Sequence, residues 1–154
     1  MAKPAPIEFR EGMTFGEAAA ATIAVRSHEL FAGAPHVLDT ADIERVHDMR
    51  VASRRLRAAL EVFGPCFAPK EQRKLLREVK GLAAALGARR DPDVQIAQLE
   101  QLRDQLQADE QPGLDLLIAR ARERQTAGNA TLEEALESAL THDLRGRLEE
   151  LTRP

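Results

Sequence analysis

Apolar residues recur along most of this chain at intervals of three and four, the spacing of helices that each bury one face. No segment has the alternating, β-branched pattern of a strand. Residues 1–12, with Pro4 and Pro6, read as a flexible lead-in, and residues 13–154 as one helical domain. Thr14-Phe15-Gly16-Glu17 is a capping box, and the alanine-rich helix behind it, with Ile23 and Leu30 on a shared face, runs to about Ala32. After a loop at Gly33 and Pro35, a second helix is expected from an N-cap at Asp39 or Thr40 to a stop at Gly64-Pro65. A third begins at Pro69, a residue suited to the first helical turn, and is expected to end at Gly87.

Asp91 reads as the N-cap of a further helix, with Pro92 at its first position and Ile96, Leu99, Leu102 and Leu106 following. Beyond Gln111-Pro112 comes a last long segment, with Leu114, Leu117, Ile118 and Ala121 near its start. Leu132, Leu136, Leu140, Leu144, Leu148 and Leu151 carry it on. Gly128-Asn129 is where it is expected to bend or break; unbroken, its roughly forty residues would span about 60 Å. The fold class these elements predict is all-α: a bundle of about four to five helices, with short loops and a long C-terminal helix.

The polar positions carry as much information as the apolar ones. In the second helix Met49, Leu56, Leu60 and Phe63 share one side, while His47, Arg50, Arg54 and Arg57 fall together on another. The third helix repeats the division, with Leu75, Leu76, Val79, Leu82 and Leu86 against Lys70, Arg73, Lys74, Arg77 and Lys80. Like charges three and four residues apart repel, and an anion lying along the row would offset that repulsion. Residues 45–90 hold 12 Lys and Arg against 4 Asp and Glu, a local charge of +8; the remainder holds 10 against 21, or −11, within a net charge of −3. A basic middle in an otherwise acidic chain points to an anionic partner engaged at one place.

Composition narrows the chemistry. At 154 residues, 44% hydrophobic and 31% charged, the chain is long enough to bury a core without staples. Cys66 is its one cysteine, so no intramolecular disulfide or cysteine-based zinc site is possible, and a reducing cytoplasm is the expected setting. The sequence suggests neither a signal peptide nor a membrane span. There is no P-loop, no dinucleotide fingerprint and no paired nucleophile and base, so no catalysis and no cofactor is expected. Asp91 and Asp93 lack a third ligand at metal-binding spacing and read as helix-start residues, with a second role in holding Arg90. Arg120 and Arg124 are expected to pair with neighbouring glutamates.

A row of cations spaced about 5–6 Å suits a closely charged polymer better than a single phosphate, which a glycine-rich loop or helix N-terminus would hold. Single-stranded nucleic acid is normally gripped by aromatic platforms, and the chain has no Trp or Tyr. Contact with a duplex backbone, a general polyanion or an acidic protein partner stays open on these residues alone.

His47-x-x-Arg50-Val51-x-x-Arg54-Arg55-Leu56-Arg57, the basic helix after it, and Leu86-Gly87-x-x-Arg90-Asp91-x-Asp93-Val94 together resemble the CHAD family, the conserved histidine α-helical domains. The resemblance runs over nearly the whole chain. It implies non-catalytic binding of inorganic polyphosphate, without metal, in the cytoplasm and in association with polyphosphate granules. By matching position it assigns His47, Arg50, Arg54 and Arg57 to the family's first basic helix, Lys70, Arg73, Lys74, Arg77 and Lys80 to its second, and Arg90 to the turn that follows. Family members usually carry two such repeats and are often fused to a triphosphate-tunnel domain; one repeat is visible here, and no counterpart of the tunnel domain. A homodimer is therefore expected to replace the missing half, joined through the leucines between Leu132 and Leu151.

Overall fold

The computed structural model describes residues 3–153, and among them there are five α-helices and no strand. They are α1 (Phe15–Ala32), α2 (Ile43–Val62), α3 (Pro69–Arg103), α4 (Gln111–Thr141) and α5 (Leu144–Leu151), with a 3₁₀ turn at Gly64–Cys66 between α2 and α3. The chain is thus an all-α bundle. None of these helices is long and apolar enough to cross a membrane.

Helix α1 starts as its capping box dictates: Glu17 N–H donates to Thr14 Oγ1 at 3.2 Å, and Thr14 N–H donates to Glu17 Oε2 at 2.7 Å. The segment before it is irregular but tied down at Ala5, whose N–H donates to Glu29 and whose carbonyl accepts from Arg26. Helix α2 begins later than the sequence suggests. Asp39 spends its side chain on a local turn, accepting from Ala41 N–H at 2.9 Å, and the N-cap falls to Asp42. Its C-terminal end lies where Gly64-Pro65 places it, and Phe63 there meets Phe15 of α1 with ring centroids 5.3 Å apart.

The largest departure is at Gly87 and Pro92. Neither ends a helix: α3 runs through both for 35 residues, and Asp91 is an exposed residue inside it rather than an N-cap. One buried stripe, Leu75, Val79, Leu82, Leu86, Arg89, Asp93 and Ile96, crosses the proline without a change of phase. Alternating steps of four and three are those of a coiled-coil seam, and α4 answers with Leu114, Ile118, Ala121, Gln125, Gly128, Leu132, Ala135 and Ala139. The two helices form a long antiparallel hairpin. Pro92 has no N–H to give the carbonyl of Ala88 four residues back. That carbonyl lies against Gly128, where a Cβ would stand only 2.8 Å from the oxygen and 3.0 Å from Arg89 Cα. Gly128 is therefore a point of close approach in the hairpin rather than a bend in α4.

A polar network surrounds this crossing. Arg89 is fully buried and Asp93 is 1% exposed. Arg89 Nη1 is paired with Asp93 Oδ1, which also accepts from Gln125 Nε2 at 2.7 Å. Arg89 Nε donates to Asn129 Oδ1 at 2.8 Å, and Asn129 Nδ2 donates to the carbonyl of Leu38 at 2.8 Å, fixing the α1–α2 loop to the hairpin.

The last helical segment breaks at His142-Asp143, not at Gly128-Asn129. Asp143 takes the left-handed conformation, φ 46°, and its side chain caps α5 by accepting from Gly146 N–H. A Cβ at Gly146 would meet that carboxylate, which would have to swing aside and give up its cap. Helix α5 then folds back onto α1 and α3. Leu132, Leu144 and Leu148 enter the core with Ile23, Leu56 and Leu75, and Leu136 and Leu151 pack against it. The leucines expected to form a dimer surface are thus largely used within the chain; Leu140, 81% exposed, is the one left in solvent. Helices α2 and α5 pack on one half of the hairpin, and α1 packs on those two in turn. In the other half Ile96, Leu114, Ile118 and Ala121 are buried between α3 and α4, outside the main core cluster.

Candidate anion-binding face

Helix α2 and the first half of α3 lie side by side, antiparallel, because both present leucines to the same core. Their polar positions then fall along one seam. Near the start of α2, Arg90 of α3 reaches over: Nη1 donates to the carbonyl of Ile43 at 3.2 Å, and Nη2 lies 3.7 Å from Glu44 Oε1. This side chain is largely buried. Asp93 does not hold it, contrary to expectation, since that carboxylate is committed to Arg89.

About two turns further along α2, Arg50 Nε lies 3.9 Å from where a Cβ at Gly87 would sit, so the glycine gives the guanidinium room beside α3. Further again, Arg57 Nε and Lys80 Nζ converge on the same oxygen of Glu61, at 3.3 Å and 2.9 Å. The hydrogen bond from Lys80, with a second from Arg57, holds the Glu61 carboxyl below the usual carboxylate range. The seam therefore brings together Arg50, Arg57, Lys80 and Arg90 of the expected residues.

The others lie outside it. His47 is half-buried on α2, while Arg54 is exposed. Lys70, Arg73, Lys74 and Arg77 are exposed on α3. Among the described residues, Arg54, Arg73 and Arg77 have no ion-pair partner. Lys74 points away from the seam, lining a groove with Glu78, Ser138 and His142 between α3 and the C-terminal end of α4. Lys70 and Lys74 both act on the Glu71 carboxylate. The cations of α3 are thus divided between two flanks, which helical spacing alone did not separate.

Two residues on or near the face were missed in the sequence. Glu61 is an acid set among cations, and its position four residues after Arg57 was the available signal. Arg89, adjacent to Arg90, carries no surface role at all. Arg124 does not pair with a glutamate as expected but donates to Gln95 Oε1 at 2.7 Å. No group of three or more His, Cys, Asp or Glu among the described residues could hold a metal ion.

The fold and this arrangement define the class: an all-helical bundle whose second and third helices set arginines and lysines along one shared seam. The CHAD domain family model matches residues 21–154, nearly the whole chain, and the protein belongs to that family. No curated protein matches the chain closely enough to extend this comparison.

Proposed function

We propose that the α2–α3 face binds inorganic polyphosphate without transforming it. The observation that carries this reading is the set of exposed, unpaired guanidiniums, Arg54 on α2 and Arg73 and Arg77 on α3, flanking a seam lined by Arg50, Arg57 and Lys80. Guanidinium forks engage phosphate oxygens in pairs, and cations on successive turns of two adjacent helices match a chain of closely spaced charges. Membership of the CHAD family supports the same ligand class. His47, Arg90 and Lys70 would serve as flanking contacts, while Lys74 lies on the other flank of α3. The role is one of holding, carried out in the cytoplasm and at polyphosphate granules, with no cofactor and no nucleic-acid partner.

A competition assay tests this directly. Labelled polyphosphate bound to the protein is challenged with DNA, RNA, ATP and heparin at fixed salt. Polyphosphate is expected to be displaced least by the others, and its binding to weaken steeply as salt rises. Equal competition by DNA would replace this reading with a general polyanion binder.

A further inference from the structure

We propose that Glu61 is a built-in competitor for the anion, holding Arg57 and Lys80 until a polymer long enough to be anchored elsewhere displaces it. This rests on the polyphosphate reading and adds to it a determinant of chain-length selectivity. One carboxylate oxygen, Oε1, receives Lys80 Nζ at 2.9 Å and Arg57 Nε at 3.3 Å, from α3 and α2 respectively. It occupies the place that a bridging phosphate oxygen would take between the two helices. The carboxyl is held below its usual range by those same partners, so it stays charged at neutral pH and keeps the place filled.

The displacement is feasible because the cluster is open. All three side chains are between about two-fifths and one-half exposed, and ion pairs in such a setting are weak. A free orthophosphate or a short oligophosphate must compete with Glu61 from bulk solution. A long chain already held by Arg54, three residues before Arg57, or by Arg77, three residues before Lys80, presents its next phosphates at a high local concentration. The same carboxylate therefore opposes short anions more than long ones.

The test uses the full chain and two probes, tripolyphosphate and a long polyphosphate of defined length, with Glu61→Gln and Glu61→Ala beside the wild type. Both substitutions are expected to tighten tripolyphosphate binding about three- to tenfold, the effect of removing one negative charge close to the anion in a largely aqueous setting. Long-chain binding is expected to tighten less, so the preference for long chains narrows. Arg57→Ala is expected to cost little in the wild type but as much as Arg54→Ala in the Glu61→Gln background, a coupling that a double-mutant cycle reads. Thermal unfolding with unchanged midpoints confirms that the variants remain folded. Long-chain binding by the wild type, with both Glu61 variants binding tripolyphosphate no more tightly, would overturn this proposal and leave the polyphosphate reading standing. Absence of long-chain binding by the wild type would overturn both.

Discussion

Gly128 of α4 sits against the carbonyl of Ala88 in α3, the carbonyl that Pro92 leaves without its helical N–H donor. A side chain at 128 would meet backbone atoms on both Ala88 and Arg89, and neither can move without shifting the helix. Gly128→Ala is therefore expected to destabilise the fold by about 1–3 kcal/mol, the range for overpacking a tight contact. Urea unfolding of the variant, followed by far-UV circular dichroism, measures it.

Arg89 and Asp93 form a buried ion pair four residues apart on α3, supported by Gln125 and Asn129 from α4. Removing one charge strands the other away from water. Arg89→Met is expected to cost about 3–5 kcal/mol, whereas the double variant Arg89→Met/Asp93→Leu regains most of that loss. Denaturant midpoints of the single and double variants decide between these outcomes. A double variant as unstable as the single one would show that the network's hydrogen bonds, rather than its charges, hold the hairpin.

Helix α5 is fastened to α3 by Arg147, whose guanidinium donates to Glu71 Oε1 at 2.8 Å and to Glu78 Oε1 at 2.9 Å. The hydrogen bond from Arg147 lowers the Glu71 carboxyl from its ordinary value. A carboxyl lowered on folding stabilises the native state above its unfolded value and loses that contribution as pH falls through the folded one. Arg147→Gln is therefore expected to lower the urea midpoint at neutral pH. The gap to wild type should close as pH drops below about 4, where an ordinary glutamate becomes protonated even in the unfolded chain. A gap independent of pH would assign the contribution of Arg147 to packing alone.

Arg54 and Arg77 stand exposed on neighbouring helices without internal ion-pair partners among the described residues. Replacing both with alanine is expected to weaken polyphosphate binding by about 2–3 kcal/mol, roughly a hundredfold, since each loses a charge-assisted contact. Helical content should be unchanged, because neither side chain packs in the core. Isothermal titration of the double variant against wild type, at one salt concentration, provides the comparison.

The helical class, the start of α1, the end of α2 and the start of α3 were legible because caps, prolines and apolar spacing act locally. The course of α3 was not. Its seam continues in steps of four and three through Arg89 and Asp93, but their charge disguised two core positions as surface, and Pro92 looked like a beginning. What overrides the local signal is α4, which packs along the full hairpin and supplies partners for both polar groups. Gly128 was likewise misread: in sequence a glycine inside a helix suggests a break, whereas here it marks the nearest neighbour. Cations on each helix could be named from spacing. Their division between the seam and the Lys74 flank depends on where α2, α4 and α5 dock, and no single helix encodes that.

The hairpin formed by α3 and α4 also grades the molecule in time. Near its root α2 and α5 pack on it, with α1 beyond them, and amides there are expected to exchange with solvent only when the whole fold opens. Toward the tip, between Leu99 and Leu117, each helix has little but the other to lean on, and Leu102 and Leu116 are open to water. That end is expected to fray before the root opens. The cation-bearing turns of α3, from Lys70 to Lys80, lie at the other end, so the geometry they offer an anion is expected to persist while the tip opens.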